Sequence, residues 1–120
     1  MMSTKAAKKS HSVYVVELSQ SVWSESRKFR AANPTYKGMS TCLYVGMTSL
    51  KPKQRLEKHL TGARSKKGHK ISSKFVEKYG MYLRPSLYEH FNPLTRERAY
   101  QLEKDLTDSL RKRGFAVWSN

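Results

Sequence analysis

The sequence predicts a single domain of mixed α and β type. Two segments rich in β-branched and aromatic residues are typical of strands, and three segments bounded by proline or glycine are typical of helices. The length of 120 residues suits one domain with one modest core. Neither an internal repeat nor a linker interrupts the chain, so we expect the strands and helices to share that core.

The strand segments place two tyrosines on defined faces. Residues 13–18 predict a first strand with Tyr14 on one face, because side chains alternate along a strand. Residues 41–47 predict a second strand that carries Tyr44. Residues 87–91 are apolar enough to predict a third strand, and the apolar C-terminus is expected to pack back onto the sheet.

The segments around these strands are basic or irregular. Residues 1–11 predict a short mobile basic tail, followed by the folded domain over residues 12–120. Residues 19–41 show no sustained hydrophobic period and predict a long loop with one short helix at residues 24–32.

The first of the three longer helices carries two polar residues on one side. Pro52 is favourable in a first helical turn, and the helix it opens runs to residue 60 and ends at Gly62. Arg55 and His59 are four residues apart in it and therefore point the same way.

Two further helices follow. A short helix around Phe75 is expected to end at Gly80, a common stop signal. The longest helix spans residues 94–113, with Asn92 as its predicted cap and Pro93 in its first turn.

An acidic residue lies at the edge of the apolar stripe of the longest helix. The stripe consists of Ala99, Leu102, Leu106 and Leu110. Glu103 falls about 40° from Ala99 on a helical wheel, whereas Asp105 and Asp108 point away from the stripe. Because an uncompensated buried charge is costly, Glu103 is expected either to meet a cation, a donor or a metal, or to reach water at the stripe's edge.

Composition excludes several classes of protein. A single cysteine, Cys42, excludes an intramolecular disulfide framework. The histidines lack zinc-ligand spacing; they are His11, His59, His69 and His90, and neither His11 nor His90 is assigned a role. No apolar run approaches the roughly 20 residues of a membrane-spanning helix, and the N-terminus lacks the hydrophobic stretch of a secretory signal. We therefore expect a cytoplasmic protein with no membrane partner.

The formal net charge of +15 predicts a polyanionic partner, and nucleic acid is the favoured one. An anionic membrane surface and plain solubility are the alternatives. Residues 51–84 carry 11 Lys or Arg and 2 acidic residues, so much of the excess lies in the middle of the chain. The predicted nucleic-acid contacts in this stretch are Lys53, Lys58, Arg64, Lys66, Lys67, His69 and Lys70.

Four features in order along the chain resemble the GIY-YIG nuclease superfamily. They are the triplet at residues 13–15, the Tyr-Val-Gly triplet at 44–46, Arg55 with His59, and a later helix that carries Glu103. The Arg-x-x-x-His spacing is the form of homing-type members, and the loop that contains His69 is similar to a loop of those members.

The resemblance implies a small three-stranded antiparallel sheet flanked by helices, with one Mg²⁺ or Mn²⁺ held by Glu103. Arg55 would neutralise charge on the phosphoryl oxygens. Tyr14 or Tyr44 would be the general base, and His59 would position the water or relay a proton. The alternatives are a cross-strand aromatic pair for the tyrosines and a partly exposed helix residue for His59.

The sequence also departs from the family pattern. Val13 stands where the family usually has glycine, and residues 19–41 form an insertion that either contacts substrate as a flap or covers the core. Asn120 is the best counterpart of the family's late asparagine.

These observations predict a metal-dependent endonuclease that hydrolyses phosphodiester bonds in DNA. The alternative is a non-catalytic, basic nucleic-acid-binding module with the same fold. RNA is a less favoured partner, and the oligomeric state stays open between monomer and dimer.

Overall fold

The computed structural model describes residues 8–36, 41–62 and 73–119. In chain order its elements are β1 (Ser12–Leu18), α1 (Ser21–Glu25), α2 (Arg27–Ala31), β2 (Cys42–Thr48), α3 (Pro52–Leu60), α4 (Lys74–Tyr79), β3 (Gly80–Leu83), α5 (Arg96–Lys112) and β4 (Ala116–Ser119). Two 3₁₀ turns, Pro85–Leu87 and Glu89–Phe91, lie between β3 and α5. The fold is compact and of the α+β class, so the predicted mixed class is confirmed.

The centre of the fold is one four-stranded mixed sheet of order β3-β1-β2-β4. β1 runs antiparallel to both β2 and β3. β4 adds a parallel edge strand, in which Ala116 pairs with Cys42 and Ser119 with Val45. The prediction of a three-stranded antiparallel sheet is therefore wrong. The sheet has a fourth strand, because the apolar C-terminus pairs with β2 and does not only pack on the sheet.

The third strand lies earlier in the chain than predicted. β3 begins at Gly80, directly after α4, whereas residues 87–91 fall in and between the two 3₁₀ turns. A Cβ at Gly80 would lie 2.4 Å from the carbonyl oxygen of Val76, so glycine lets the chain pass straight from helix to strand. Pro85, which has no N–H for a ladder, stands at the start of the first 3₁₀ turn.

The longest helix begins later than predicted. Thr95 caps α5, since its hydroxyl accepts a backbone hydrogen bond in the first turn, and Asn92 is not the cap. The Asn92 side chain instead pairs with both backbone groups of Val13, at 2.9 and 2.8 Å. His11 exchanges two backbone hydrogen bonds with Leu94. The last residue of the predicted tail is therefore tied to the start of α5.

Both faces of the central strands are covered. Residues 13–16 of β1 are all buried although alternate side chains point to opposite faces. α5 contacts β4, β2 and β1, whereas α3 and α4 contact β1 and β3. The predicted stripe of α5 is confirmed, because its four apolar residues are buried while Asp105 and Asp108 are exposed. None of the helices in the described ranges is long and apolar enough to cross a membrane.

The segment between β1 and β2 forms two short helices, α1 and α2, in place of the single helix predicted at residues 24–32. Val22 and Phe29 are completely buried, and the Phe29 ring lies 5.6 Å from that of Phe75 on α4. Residues 19–36 therefore cover the core, which favours that alternative over a substrate flap. Residues 37–40 of the predicted insertion lie outside the described residues.

A buried asparagine fastens this segment to the C-terminal part of the fold. The Asn33 amide oxygen accepts hydrogen bonds from the Val117 N–H at 2.7 Å and from Arg111 Nε at 3.2 Å. Its amide nitrogen donates to the Phe29 carbonyl at 2.9 Å. We call these four residues the Asn33 clasp; it joins α2, α5 and β4.

Candidate active site

The register of β1 and β2 brings the two predicted tyrosines together. Tyr14 pairs with Gly46, and Tyr44 lies diagonally from Tyr14, opposite Val16. The rings of Tyr14 and Tyr44 are 6.1 Å apart between centroids. A Cβ at Gly46 would lie 2.5 Å from the Tyr14 hydroxyl oxygen, so only glycine leaves room for this ring. The glycine of the Tyr-Val-Gly triplet thus provides the space that the Tyr14 ring occupies.

His59 of α3 lies between strand and helix with both ring nitrogens bonded. Its side chain is completely buried, so the expectation of a partly exposed helix residue is wrong. Nδ1 accepts a hydrogen bond from the Ser73 backbone N–H at 2.8 Å, and Nε2 lies 2.7 Å from the Tyr14 hydroxyl oxygen. Because an N–H donates to Nδ1, the neutral ring carries its proton on Nε2 and donates to Tyr14.

The charge state of His59 agrees with that tautomer. Burial, followed by the positive charge of Arg55 one turn earlier, lowers the pKa of His59 to about 4. The imidazole is therefore neutral at pH 7. A neutral ring between a fixed backbone donor and a tyrosine has only one hydrogen-bond direction, from Ser73 through His59 to Tyr14.

Burial also keeps both tyrosines protonated in the free protein. It raises the pKa of Tyr14 far above its usual range, Tyr44 adds to the rise, and the Arg55 guanidinium opposes it. Burial raises the pKa of Tyr44 as well, while interactions with the Tyr14 side chain, Arg55 and the Ser73 side chain oppose that rise. Tyr14 accepts a hydrogen bond from His59, so the Tyr14 hydroxyl proton is donated to another acceptor. The Tyr44 side chain, with which Tyr14 interacts, is that acceptor.

Glu103 is the carboxylate of α5 that acts on this cluster. Its residue is 6% exposed, so the prediction of an inward carboxylate is confirmed. Burial raises the pKa of Glu103 to about 7, against the opposing effects of Lys104 and of the Met47 backbone N–H. The negative charge of Glu103 in turn raises the pKa of Tyr44, so the carboxylate lies within electrostatic reach of that tyrosine.

The Met47 backbone N–H of β2 is the donor with which the Glu103 carboxylate interacts. Met47 follows Tyr44 by three residues on the same strand, so this interaction brings the Glu103 carboxylate to the strand that carries Tyr44.

The donor set fits a hard divalent cation that is held by one protein carboxylate. Mg²⁺ prefers oxygen ligands and keeps several waters, so a single glutamate with phosphate oxygens and water is chemically adequate. Burial raises the pKa of the Glu103 carboxyl to about 7. A nearby cation would lower that pKa and return the carboxylate to its charged form. Within the described ranges no three His, Cys, Asp or Glu side chains group together as metal ligands. Glu103 is therefore the residue of the cluster that could hold such a metal.

Arg55 is the member of the cluster that meets solvent. It lines a cleft of about 380 Å³ together with the side chains of His11 and Arg96 and with residues 47–50. Neither His11 nor Arg96 was predicted as a site residue. Arg96 precedes Glu103 by seven residues, which is two helical turns, so a helical-wheel analysis of the Glu103 flank would have found it. His11 gave no sequence signal, because only its backbone bridge to Leu94 brings it here.

The predicted nucleic-acid contacts divide into two groups. Lys53 and Lys58 are exposed on α3, the helix that carries Arg55. Five others lie outside the described residues: Arg64, Lys66, Lys67, His69 and Lys70. Asn120, the candidate late asparagine, also lies outside them.

The chain was compared with protein-family models, with curated proteins and with solved structures, and none of these gave a match. The class of chemistry therefore has to be judged from the geometry of the five side chains, which are those of Tyr14, Tyr44, Arg55, His59 and Glu103.

Proposed function

We propose that this protein is a metal-dependent endonuclease that hydrolyses phosphodiester bonds in DNA, of the kind the GIY-YIG resemblance implies. One observation carries the proposal. The resemblance selects five side chains from four separate elements, and the structure relates them to one another: Tyr14, Tyr44 and His59 pack together, Arg55 acts on both tyrosines and lines a cleft, and the Glu103 charge acts on Tyr44. A protein that only binds nucleic acid needs Lys and Arg for that purpose, and has no need of an inward carboxylate beside two tyrosines.

Arg55 binds the phosphate in this proposal. Its guanidinium is permanently charged, lines the cleft and lies beside the tyrosines. Negative charge grows on the phosphoryl oxygens in the transition state, and a guanidinium fork stabilises it where water is excluded. His11 and Arg96 on the cleft wall would hold the neighbouring backbone.

Tyr44 would accept the proton of the attacking water as a tyrosinate, after its own hydroxyl proton has been released to solvent. His59 donates to Tyr14, and Tyr14 in turn donates toward Tyr44, so the hydrogen-bond direction supports negative charge on the Tyr44 oxygen. Tyr14 and His59 are then positioning residues. Because burial raises the pKa of Tyr44, the base forms only when cationic charge is added nearby.

Glu103 would hold the metal. A bound divalent cation supplies Lewis-acid activation of the phosphate and stabilises the leaving oxygen. Glu103 has a pKa of about 7, so the charged carboxylate that such a cation requires becomes more populated as the pH rises through neutrality. Cleavage is therefore expected to increase between about pH 6 and pH 8.

Incubation of the purified protein with a mixture of duplex, nicked and branched DNA and Mg²⁺ or Mn²⁺ tests the proposal. We expect cleavage by the wild type, its loss with EDTA, and a fall of at least about 100-fold in both Glu103→Gln and Arg55→Ala. Tyr44→Phe should lose activity as strongly, whereas Tyr14→Phe should lose about tenfold and keep the same pH profile.

Two variants serve as matched controls. Asp105→Asn makes the same carboxylate-to-amide change at an exposed site of α5, and Lys112→Ala removes one cation from the far end of that helix. Both should cleave like the wild type. Cleavage that survives in Glu103→Gln and Arg55→Ala would show that the five side chains are not the active site.

One observation favours the non-catalytic alternative. Tyr14 and His59 are completely buried and hydrogen-bonded to each other and to the backbone, so they are satisfied without any substrate. In a binding module this cluster would only join β1 to α3. Tight, salt-sensitive DNA binding with no metal-dependent turnover on any of the DNA forms would establish that alternative.

A further inference from the structure

A second cleft lies beside the one that Arg55 lines. It measures about 690 Å³ and is lined by Lys8, Met47, Thr95, Arg96, Glu97 and Tyr100. Met47 and Arg96 belong to both clefts, so the two are continuous along the first turns of α5. We call the larger one the Tyr100 cleft. Its volume falls within the range of about 300–1,000 Å³ that is typical of small-ligand pockets.

The chemistry of the Tyr100 cleft differs from that of its neighbour. Tyr100 is 55% exposed, the most exposed large apolar side chain in the described part of the chain. A tyrosine ring that is left half in water offers a flat face to a planar ligand. Lys104 Nζ lies over one face of this ring, 4.6 Å from its centre, so a planar ligand would stack on the other face.

Polar groups of both signs surround the ring. Lys8 and Arg96 supply cations that suit phosphate oxygens, whereas the Glu97 carboxylate suits an amino group as donor. A flat aromatic face, two cations and a single carboxylate acceptor match the parts of one nucleotide. They match a plain phosphate poorly, because Glu97 would repel it, and an apolar peptide poorly, because cations line the wall.

We propose that the Tyr100 cleft binds one unpaired nucleotide of the DNA, with its base stacked on Tyr100 and its phosphate toward Arg96. This inference rests on the proposed function, because it treats the cleft beside Arg55 as the path of the DNA backbone. A paired base inside a duplex has both faces covered by its neighbours, so only an unpaired or flipped-out base can stack on a side chain. The preferred substrate would therefore be a flap, a gap, a mismatch or single-stranded DNA.

A binding experiment tests the proposal without depending on cleavage. Fluorescence anisotropy in EDTA compares a perfect duplex with the same duplex carrying one unpaired 2-aminopurine nucleotide. We expect the wild type to bind the unpaired form more tightly by about 10- to 100-fold, as one base–aromatic stack implies, and to quench the 2-aminopurine fluorescence. Tyr100→Ala should lose both the preference and the quenching, whereas Tyr100→Phe should keep both.

Tyr82 provides the matched control. It is 49% exposed, close to Tyr100 in accessibility, but belongs to β3 at the far edge of the sheet and pairs with Glu17 of β1. Tyr82→Ala should leave the preference and the quenching unchanged. Arg96→Ala should weaken the binding of the unpaired form more than that of the duplex.

The outcomes separate this inference from the proposed function. Equal affinity for the two DNA forms, or a preference that survives in Tyr100→Ala, would overturn the nucleotide site even if the enzyme cleaves DNA. A Tyr100-dependent preference would support the nucleotide site even if no cleavage occurs with any metal. Loss of the preference in Tyr82→Ala as well would also overturn it, because the effect would then not be local to the cleft.

Discussion

Two buried polar clusters hold this fold together, and they differ in kind. The Asn33 clasp joins α2, α5 and β4 through an amide that does not titrate. The cluster of Tyr14, Tyr44 and His59 joins β1, β2 and α3 through groups that all titrate, and burial shifts the pKa of each away from its ordinary value.

The two clusters also differ in the groups that surround them. The clasp directs its Asn33 hydrogen bonds to two backbone groups and one arginine, which is what a structural tie requires. The tyrosine–histidine cluster has a permanent cation, Arg55, and an inward carboxylate, Glu103, within electrostatic reach. Shifted pKa values beside a cleft and beside opposite charges are typical of functional sites. Burial of polar groups is common to both clusters and therefore does not distinguish a functional site from a structural one.

The largest expected effect is on cleavage. Glu103→Gln should reduce the cleavage rate by about 10³-fold, equivalent to about 4 kcal/mol of transition-state stabilisation, because it removes the proposed metal ligand. Single-turnover assays at pH 8 with saturating Mg²⁺ measure it. Asn33→Ala, assayed well below its melting temperature, should keep its cleavage rate. A loss of cleavage as large as that of Glu103→Gln would show that the two clusters do not differ in function.

The next effect is on stability. Asn33→Ala should lower the free energy of unfolding by about 3 kcal/mol, because the Val117 N–H and Arg111 lose a buried acceptor. Urea unfolding measures the change, and Asp105→Asn, at an exposed site of α5 outside the clasp, is the reference. A cost below about 1 kcal/mol would mean that the clasp does not fasten residues 19–36.

A third prediction concerns pH. Burial raises the pKa of Glu103 from its ordinary 4.5 to about 7, so the folded state holds this proton more tightly than the unfolded state. Stability is therefore lost as the pH rises from about 4.5 through 7. Without metal, Glu103→Gln should be more stable than the wild type by about 3 kcal/mol at pH 8 and nearly equal to it at pH 4.

Thermal or urea unfolding in EDTA at both pH values measures this difference. Asp105→Asn should show no such dependence, because that side chain is exposed. A wild type that stays more stable than Glu103→Gln at pH 8 would show that the carboxylate is compensated in the metal-free protein.

The smallest effect tests how the tyrosine–histidine cluster is positioned. Gly46→Ala should cost about 2 kcal/mol of stability, because the new methyl group would meet the Tyr14 ring and displace it from His59. In a Tyr14→Leu background the same change should cost less, since the ring is absent. Equal costs in the two backgrounds, measured by urea unfolding, would show that Gly46 acts on something other than Tyr14.

Much of the local structure could be predicted from the sequence. Pro52 and the spacing of Arg55 and His59 gave the bounds and the polar side of α3. Helical periodicity gave the buried stripe of α5 and the inward position of Glu103. These predictions hold because a helix face depends on residues three and four apart, which lie within one segment.

The rest depended on contacts between distant segments. Nothing in residues 115–120 distinguishes a strand that pairs in parallel with β2 from a tail that packs on it. Asn92 looked like a cap because Pro93 follows it, but its side chain pairs with Val13, 79 residues away. The sequence left a partly exposed position open as an alternative for His59, and only the packing of Ser73 and Tyr14 around it buries it.

The sequence by itself determined the composition of the site: two tyrosines on strands, an arginine and a histidine one turn apart, and a carboxylate turned toward the core. Only the tertiary structure decided their arrangement, including the hydrogen-bond direction through His59 and the interaction of Glu103 with the Met47 backbone. The physical reason is that periodicity acts within a segment, whereas strand register and the partners of a buried polar group depend on how remote segments pack.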